Sequence, residues 1–476
     1  MFQKNKIGFY LLLLLPMFGT GQTMTPTSYI DKKSDPIITW GNFSEENLVI
    51  ENEEAINVFL KHLHSLYHEQ KDKVRIVHIG DSHIQAGFFP DATRKSLQNI
   101  FGNAGLGFIF PHRLAHTNGI SGLSFTSSVP WESKRNIFEN HTDLVGLSGF
   151  SFYTQYQDFA IAIEVNEDDY AFDSVKIITP DKFSGFNVAR AIKEMNLKSY
   201  SIKPIQHIIK SGEALSIIAR KYGVSIADIK KENNLKSDVI RAGATLSIPV
   251  KIEVPEPIDR TAFEIFTSLE NSNTYSFPDL QKSLWLLPEK QSETYALNGL
   301  ILERSASGLI YNGIGVNGAR FKDYNRTPLF FEQLDELKPN ILIVSLGTNE
   351  AFDTMEVGDY IADLKLFIQK VRKNLPEIPI LITTPPPSLV KKSSPNIFVE
   401  KYAKEILKLA RQEHIAVWDL YHVLGGNENI HNNYTKGWIA KDYIHYTKEG
   451  YKKTGELLSE TLLKSFSNFI VNSTNE

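Results

Sequence analysis

The sequence contains no cysteine, and this absence removes several kinds of chemistry together. Without a thiol the chain has no cysteine nucleophile, no disulfide framework, no cysteine-ligated metal and no lipid anchor on cysteine. Such a composition suits an exported protein that avoids oxidation, although it does not by itself prove export.

An excess of one charge sign is also missing. The 476 residues include 51 Lys and Arg against 55 Asp and Glu, which leaves a formal net charge of −4 at pH 7. This balance provides no basic field for nucleic acid and no acidic run typical of a solvating tail. No G-x-S-x-G pentapeptide occurs either, which argues against the α/β-hydrolase fold. With 42% hydrophobic residues, the chain can nevertheless bury a large core.

Long hydrophobic runs are confined to the N-terminus. Lys4 and Lys6 precede an apolar stretch over residues 7–18, and small residues follow it. This order of charged, apolar and small residues predicts a secretory signal peptide over residues 1–21. The apolar stretch is too short to span a bilayer comfortably, which disfavours a transmembrane helix. The alternative is an uncleaved anchor. The sequence therefore predicts an exported protein, periplasmic or secreted, with no membrane span after signal cleavage.

Two separated parts of the chain have the pattern of an α/β domain. Residues 45–115 begin with a predicted helix, from about 45 to 70, and continue into an apolar strand at Val74–Ile79. Residues 309–471 contain three apolar runs, "NILIVSLG", "IPILITTP" and "IAVWDL", separated by helical patterns. Continuous apolar runs are typical of parallel strands buried on both faces. The sequence therefore predicts one α/β domain that is split by an insertion.

The insertion has a different pattern. Residues 116–204 and 251–308 are aromatic and β-branched with partial alternation, as in "FSFYTQYQDFAIAIEV", which predicts antiparallel strands. Between them, residues 205–250 predict two short strands around two helices. Ser225 can cap the second helix, with Asp228 three residues further on as its partner. This βααβ block therefore has the character of a small module placed within the β-rich insertion.

Residues that can carry chemistry follow the predicted parallel strands. Ser82 stands in "GDSH", Asn349 in "GTNE" and Gly318 in a predicted tight loop within "NGIGVNGAR". Asp442 precedes His445 by three residues, just ahead of the last predicted helix. In open α/β sheets, sites form at the carboxyl ends of the strands. A serine nucleophile needs a histidine base, an orienting carboxylate and oxyanion donors, and these five residues supply them.

The four short segments that carry these residues stand in the same order as the four conserved blocks of the SGNH (GDSL-like) hydrolases, and they resemble those blocks. The resemblance implies a three-layer α/β/α sandwich with a parallel sheet. It implies that Ser82 is the nucleophile, that His445 is the base and that Asp442 orients the base. It also implies an oxyanion hole made by Ser82, Gly318 and Asn349. Neither a metal nor an organic cofactor is needed in such a site.

Four neighbouring residues have roles that the pattern leaves open. Glu350 takes the place of the Asp that usually ends the third block of the family. His83 is either a solvated or hydrogen-bonded strand-end histidine or a substrate contact. Arg320 is either a surface arginine or a partner for a carboxylate on the substrate. His78 precedes Ser82 on the same predicted strand and is either a core residue or a support for the site.

A narrower resemblance concerns the substrate. "GDSH", "GNAGLGF" at Gly102–Phe108 and "GGNENIHNNYTKGW" resemble bacterial peptidoglycan O-acetylesterases, which can carry a β domain between the first two blocks. The block at 205–250 resembles a LysM module, which binds glycans that contain N-acetylglucosamine. The usual "GDTL" of that module reads "GEAL" at Gly212–Leu215, so the tightness of its glycan binding is open.

These resemblances imply a serine esterase that removes O-acetyl groups from a cell-wall glycan through an acyl-enzyme, with peptidoglycan as the favoured substrate. One alternative is a glycan O-acetyltransferase or an esterase of another acetylated polysaccharide. The non-enzymatic alternative is a peptidoglycan-binding protein with an inactive hydrolase fold. We expect the protein at the cell wall, outside the cytoplasm.

Two other site types are disfavoured. The "GIGVNG" at Gly313–Gly318 fits G-x-G-x-x-G, but a dinucleotide site needs a long helix after the loop, and Pro328 interrupts early. "HIGDSH" also fits a metallophosphoesterase, but such a site needs further histidine motifs that "GTNE" does not supply. His64 and His68 have metal-compatible spacing on the predicted first helix, without a third ligand nearby in sequence.

Overall fold

A computed structural model describes residues 47–139, 144–181, 185–195, 197, 200–253, 257–269, 272–289 and 292–474. The predicted signal peptide, residues 1–21, lies outside these ranges. None of the helices within them combines the length and hydropathy that a membrane span requires.

Helices and strands alternate in the first and last parts of the chain, whereas strands dominate the middle. The α-helices are, in chain order, α1 (Asn57–Glu69), α2 (Ser82–Gln85), α3 (Phe88–Phe101), α4 (Leu215–Tyr222), α5 (Ile226–Glu232), α6 (Phe321–Asn325), α7 (Pro328–Gln333), α8 (Thr348–Phe352), α9 (Val357–Asn374), α10 (Ile397–Gln412), α11 (Leu420–Val423), α12 (Ile430–Thr435) and α13 (Lys448–Thr474). The strands are β1 (Lys73–Gly80), β2 (Gly107–Ile109), β3 (Leu123–Ser127), β4 (Glu132–Arg135), β5 (Phe150–Thr154), β6 (Ile161–Val165), β7 (Phe172–Ile178), β8 (Phe186–Ala191), β9 (Tyr200–Ile208), β10 (Thr245–Glu253), β11 (Phe263–Ile265), β12 (Thr274–Gln281), β13 (Ser283–Pro288), β14 (Tyr295–Ala296), β15 (Gly299–Glu303), β16 (Gly308–Gly315), β17 (Ile341–Ser345), β18 (Ile380–Thr383), β19 (Leu389–Val390), β20 (Ser394–Pro395) and β21 (Ala416–Trp418).

Five parallel strands form the central sheet, in the order β16, β1, β17, β18, β21. Strand β1 precedes the insertion in sequence, whereas its two neighbours, β16 and β17, follow it. The register places Gly80 opposite both Gly315 and Ser345, so that three strands end at one edge. The parallel sheet that the apolar runs predict is confirmed.

Helices cover both faces of this sheet. Ile76 and Ile343 are buried in one cluster with residues of α1, α3 and α13. Val77 and Val344 are buried in another cluster with residues of α9 and α10. Successive side chains of a strand point to opposite faces, so a strand covered on both sides must be apolar throughout. The layers therefore form the predicted α/β/α sandwich.

Two details of this domain differ from the prediction. Helix α1 begins at Asn57 rather than near residue 45, because the chain before it pairs with the edge of the sheet. The backbone of Glu51 exchanges two hydrogen bonds with Val417 of β21, at 2.8 and 2.9 Å. The predicted "NGIGVNGAR" loop is strand as far as Gly315, and Gly318 lies in the loop that follows.

The β-rich insertion contains two larger antiparallel sheets, in the orders β11-β8-β13-β6-β3 and β12-β7-β15-β2. Residues of both sheets, including Ile163 and Val175, belong to one buried cluster that extends to Ile79 and Ile314 of the central sheet. Strand β2 lies within residues 45–115, yet it pairs with β15 of the insertion. The insertion and the α/β domain therefore share a continuous core.

The βααβ block consists of a two-stranded antiparallel ribbon, β9 and β10, with α4 and α5 between its strands. Both strands are longer than predicted, since their pairing runs outward to Tyr200 and Glu253. The Ser225 Oγ accepts a hydrogen bond from the Asp228 N–H at 3.0 Å, which is the predicted cap of α5. The block has a small apolar core of its own, which includes Ile218.

Candidate active site

Ser82 lies directly after the end of β1, at the first position of α2. The turn depends on glycine, since a Cβ on Gly80 would lie 2.4 Å from Ile84 Cγ1 and 2.8 Å from the Ser345 carbonyl oxygen. A side chain at that position would push α2 away from the sheet. The close packing therefore holds Ser82 at the shared edge of the three strands.

A chain of hydrogen bonds joins Ser82 to the loop before α13. Ser82 Oγ and His445 Nε2 lie 3.0 Å apart. On the other side of the ring, His445 Nδ1 and Asp442 Oδ2 lie 2.7 Å apart. The structure thus brings together the three residues that the sequence predicts as nucleophile, base and orienting acid, although 363 positions separate Ser82 from His445.

The Asp442 carboxyl is held by its own loop. Asp442 Oδ1 accepts hydrogen bonds from the backbone N–H groups of Ile444 and His445, each at 3.0 Å. Partial burial raises the pKa of Asp442, but the hydrogen bonds from Ile444 and His445 outweigh that effect, so the pKa lies below its ordinary value. The carboxylate is therefore ionised at neutral pH and can stabilise a positive charge on the imidazole.

The two predicted oxyanion donors come from different elements: Gly318 lies in the loop after β16, and Asn349 lies in the first turn of α8. Gly318 has a backbone φ of +85°, in the left-handed region that favours glycine. The next residue, Ala319, offers its carbonyl oxygen to the Asn349 side-chain amide at 3.0 Å. The same amide lies 3.3 Å from Asp81 Oδ2, on the residue before Ser82. Asn349 therefore links the Gly318 loop to the turn that carries the serine.

Part of this arrangement was not foreseen from the sequence. Gln85 Oε1 accepts a hydrogen bond from the Asn317 N–H at 2.6 Å, and Arg135 Nη1 donates to the Asn317 carbonyl oxygen at 2.7 Å. Asn317 also donates through its side chain to Asn118 Oδ1 at 2.7 Å. Asn118 and Arg135 belong to the segment predicted as the insertion, so the insertion fixes the residue before Gly318. No local motif marks these contacts, because each depends on how distant segments pack.

Two carboxyl groups are buried next to the donors. Asp81 is 1% exposed and accepts the His83 N–H at 2.9 Å, and burial raises its pKa to about 7. Glu350 is fully buried and accepts the Phe321 N–H at 2.9 Å, and burial raises its pKa to about 8. Glu350 Oε2 has no hydrogen-bond partner among the described residues, which fits a neutral carboxyl. Glu350 therefore ties the chain after Gly318 to α8.

Two further histidines near the serine, His83 and His78, are buried. His83 lies in α2, is 6% exposed and has its Nδ1 3.0 Å from the Tyr451 hydroxyl, so it is hydrogen-bonded rather than solvated. Burial lowers the pKa of His83 to about 3, which keeps the ring neutral. His78 lies in the core between the Tyr311 hydroxyl, at 2.8 Å, and the Ser345 hydroxyl, at 2.6 Å. Both rings are therefore buried, hydrogen-bonded groups of the protein interior near Ser82.

The structure also places Arg320 and the residues of the two disfavoured motifs. The Arg320 side chain forms an ion pair with Asp353 and is partly exposed. Gly313 and Gly315 lie inside β16, and the loop after them leads into α6, which is only five residues long. Across the described ranges, no group of three or more His, Asp or Glu side chains is placed to hold a metal ion.

The geometry suits acyl transfer. A serine hydroxyl within hydrogen-bonding distance of an imidazole can lose its proton to that ring as it attacks a carbonyl carbon. The ring is oriented by an ionised carboxylate, and the Asn349 amide lies 3.3 Å from Asp81, the residue before the serine. This is the set of parts that an esterase of the serine type requires.

Comparison with family models identifies two segments. Residues 291–453 match the GDSL-like Lipase/Acylhydrolase family, and residues 207–249 match the LysM domain. The predicted resemblances to a GDSL-like hydrolase and to a LysM module are confirmed by these matches.

Among solved structures, the chain is similar to one described as a peptidoglycan O-acetylesterase in action. The match has a TM-score of 0.59 and 19% sequence identity, and it covers 88% of this chain and 99% of the other. At this identity the likeness shows a shared fold, which extends over the insertion as well as the α/β domain.

Curated relatives match over shorter stretches. A cell wall-binding protein, YocH, of Bacillus subtilis (strain 168) is 51% identical over 43 residues, which are 9% of this chain and 15% of that protein. A probable autolysin, SsaALP, of Staphylococcus aureus (strain NCTC 8325 / PS 47) is 28% identical over 102 residues, 21% of this chain and 38% of that protein. The chain thus spans well under half the length of these relatives.

Proposed function

Since the chain carries a GDSL-like acylhydrolase domain and a LysM domain, we propose that it is a serine esterase that removes O-acetyl groups from peptidoglycan. The observation that carries this proposal is the hydrogen-bonded chain Ser82–His445–Asp442 beside Gly318 and Asn349. The wall glycan is proposed as the substrate because the fold resembles that of a peptidoglycan O-acetylesterase over 88% of the chain.

In the first half of the reaction, His445 Nε2 takes the proton of Ser82 Oγ while the oxygen attacks the acetyl carbonyl carbon. The tetrahedral intermediate collapses when His445 returns this proton to the sugar oxygen, which leaves as a hydroxyl group. Ser82 then carries the acetyl group as an ester. Asp442 stabilises the imidazolium that exists between these two proton transfers.

In the second half, His445 takes a proton from water, and the resulting oxygen nucleophile attacks the acetyl-serine. Collapse of the second intermediate returns the proton to Ser82 Oγ and releases acetate. In both intermediates the negative oxygen is held by N–H groups, for which we propose the backbone of Ser82 and Gly318 and the side chain of Asn349. If a sugar hydroxyl replaces the water, the same steps transfer the acetyl group to another glycan.

We further propose that the LysM domain holds the enzyme on glycan that contains N-acetylglucosamine. Glu213, one of the two changed residues in "GEAL", accepts a hydrogen bond from the Lys210 N–H at 2.8 Å and lies 2.8 Å from His207 Nε2. Glu213 is thus engaged within the module. Together with the predicted signal peptide, a wall-binding module favours a periplasmic or secreted, wall-associated protein.

The proposal is tested by acetate release from purified O-acetylated peptidoglycan, measured beside acetylated xylan. We expect the wild-type protein to release acetate faster from peptidoglycan and the Ser82→Ala variant to release essentially none. Equal or faster release from xylan would assign another polysaccharide as the substrate. Acetyl groups recovered on an added acceptor glycan, instead of free acetate, would identify a transferase.

Two further outcomes would overturn the enzymatic proposal itself. Binding to peptidoglycan without turnover of any acetyl ester would identify a non-catalytic wall-binding protein. Loss of activity on dialysis against EDTA, with recovery on adding zinc or manganese, would favour a metallophosphoesterase over a serine esterase.

A further inference from the structure

Tyr443 lies between Asp442 and His445 in an unusual backbone conformation. Its φ is +58°, in the left-handed region that glycine adopts freely and that bulky residues rarely adopt. Two backbone hydrogen bonds hold it there: its N–H donates to the Ala440 carbonyl at 3.0 Å, and its carbonyl accepts the Leu389 N–H at 2.9 Å. Glycine would fit this position better, so the tyrosine ring itself needs an explanation.

The ring of Tyr443 belongs to a small aromatic group at the surface. It stacks on Tyr434 of α12, with ring centroids 4.7 Å apart and planes inclined by 27°. The ring of His431 meets Tyr443 edge-on at 5.7 Å. We call these three residues, His431, Tyr434 and Tyr443, the aromatic patch. Tyr434 is 37% exposed and His431 is exposed, whereas Tyr443 is half-buried and packs against a buried core cluster, so the patch is anchored at Tyr443 and opens to solvent at the other two rings.

The patch borders the reacting groups. Tyr443 lies in the same loop as His445, two residues before it, and the His445 side chain is 43% exposed. Exposed amides lie beside the rings, where Asn432 Nδ2 donates to Asn429 Oδ1 at 2.9 Å. Aromatic faces together with a few polar groups are the usual lining of a site for a small organic ligand.

We propose that the aromatic patch is a glycan subsite, where a ring stacks on one sugar of the chain that carries the acetyl ester. This inference rests on the proposed function and names the part of the protein that selects a polymer over a small ester. When the acetyl group is at Ser82, the rest of the glycan chain must extend over the surface next to the site. The patch lies on the His445 side of that surface and offers both a flat apolar face and amides for sugar hydroxyls.

The test compares two substrates in the full-length protein. Tyr443→Gly removes the ring and keeps the left-handed backbone, and Tyr434→Ala removes the stacked partner. For each variant, kcat/KM is measured on a soluble aryl acetate and on soluble O-acetylated peptidoglycan strands. Because one aromatic contact is lost, we expect the ratio of glycan to aryl acetate values to fall roughly two- to tenfold, mainly through KM. Tyr434→Phe keeps the ring and should restore the ratio.

Controls separate binding from folding. Tyr156→Ala removes a tyrosine that is 43% exposed in the insertion, and it should leave the ratio at its wild-type value. Equal losses on both substrates would show that the patch only supports the catalytic loop, and an unchanged ratio in Tyr443→Gly would overturn the subsite.

A binding measurement keeps this inference distinct from the proposed function. Calorimetry compares Ser82→Ala with Ser82→Ala/Tyr443→Gly on soluble peptidoglycan strands, with the LysM domain present in both. We expect weaker binding by the double variant. Wild-type protein that fails to release acetate would refute the proposed function, whereas equal binding by the two variants would refute the subsite alone.

Discussion

Ser82 has two unlike sides. On the histidine side, Asp442 and His445 lie within four consecutive residues, and their side chains are 44% and 43% exposed. On the oxyanion side, Gly318 lies in the loop after β16 and Asn349 in α8, and two buried carboxyl groups, those of Asp81 and Glu350, lie next to them.

The two sides show that the carboxyl group favours its ionised form in one environment and its neutral form in another. The pKa of Asp442 lies below its ordinary value, because N–H donors outweigh its partial burial. Burial raises the pKa of Asp81 to about 7 and that of Glu350 to about 8. A negative charge is useful beside the imidazolium but would repel an oxyanion. Local N–H donors keep the charge on Asp442, whereas burial favours the neutral form of Glu350 at neutral pH.

The largest loss of activity should come from substitution of Ser82, where the histidine side and the oxyanion side meet. Ser82→Ala removes the proposed nucleophile and should lower kcat on a soluble acetyl ester on the order of 10⁶-fold, as removal of a triad serine does elsewhere. Circular dichroism and thermal unfolding should remain those of the wild type. More than a tenth of wild-type activity in this variant would mean that another group is the nucleophile.

Substitutions on the histidine side should cause the next largest losses of activity. His445→Ala should lose nearly as much as Ser82→Ala, whereas Asp442→Asn should lose about 10⁴-fold, because the base remains but its orientation and charge partner are weakened. The wild-type rate should fall on the acid side, since a protonated His445 cannot accept the serine proton. Profiles of kcat/KM from pH 5 to 9 check this. If His445→Ala keeps the wild-type acid limb and most of the rate, a different base is at work.

The oxyanion side should show a smaller loss. Asn349→Ala removes one proposed donor and should lower kcat roughly 10²–10³-fold, with little change in KM, because the donor acts on the transition state. Asn374→Ala, at the exposed last position of α9 and outside the donor set, serves as the matched control in the aryl acetate assay. A KM increase at constant kcat in Asn349→Ala would indicate ground-state binding instead.

A pH test sharpens the contrast between the carboxyl groups. The pKa of Glu350 is raised from 4.5 to about 8 in the folded state, so its protonated form contributes stability that is fully present below pH 4.5. That contribution is lost as the pH rises towards about 8, because the unfolded state binds fewer protons over this interval. Glu350→Gln stays neutral and can still accept the Phe321 N–H, so its Tm relative to wild type should rise between pH 5 and pH 8.5.

Two controls belong to this measurement. Glu428→Gln changes an exposed glutamate and should show no such trend. Glu350→Ala loses the hydrogen bond to Phe321 and should lower kcat, with Glu350→Gln recovering most of it. A Tm difference that is independent of pH in Glu350→Gln would mean that Glu350 is ionised in the folded protein.

The smallest effect on small-ester turnover should come from the LysM domain. Replacing residues 203–250 by Asn-Gly closes the ribbon between Ile202 and Lys251, which are paired residues of β9 and β10. Since the module has its own core, kcat/KM on a soluble acetyl ester should stay near the wild-type value, while the fraction bound to insoluble peptidoglycan should fall. Equal pull-down with and without the module would assign wall binding to another part of the protein.

Much of the fold was predictable from short stretches. The apolar runs predicted β1, β17, β18 and β21, because a strand covered on both faces must be apolar whatever its neighbours are. Ser225 and Asp228 predicted the start of α5, because a cap acts over three residues. The boundaries of the insertion stay predictions, and its strand β2 pairs with a strand almost two hundred residues later in the sequence.

By itself, the sequence determined those features of the protein whose partners lie within a few residues. The Asp442–His445 pair is of this kind, since three residues in one loop suffice to bring their side chains together. Only the tertiary structure decided the oxyanion side, where Arg135 and Gln85 fix Asn317 and burial sets the charge of Glu350. Such contacts join segments that are distant in sequence, and the loss of solvent around a carboxyl depends on the packing of all its neighbours. No local pattern of residues encodes either one.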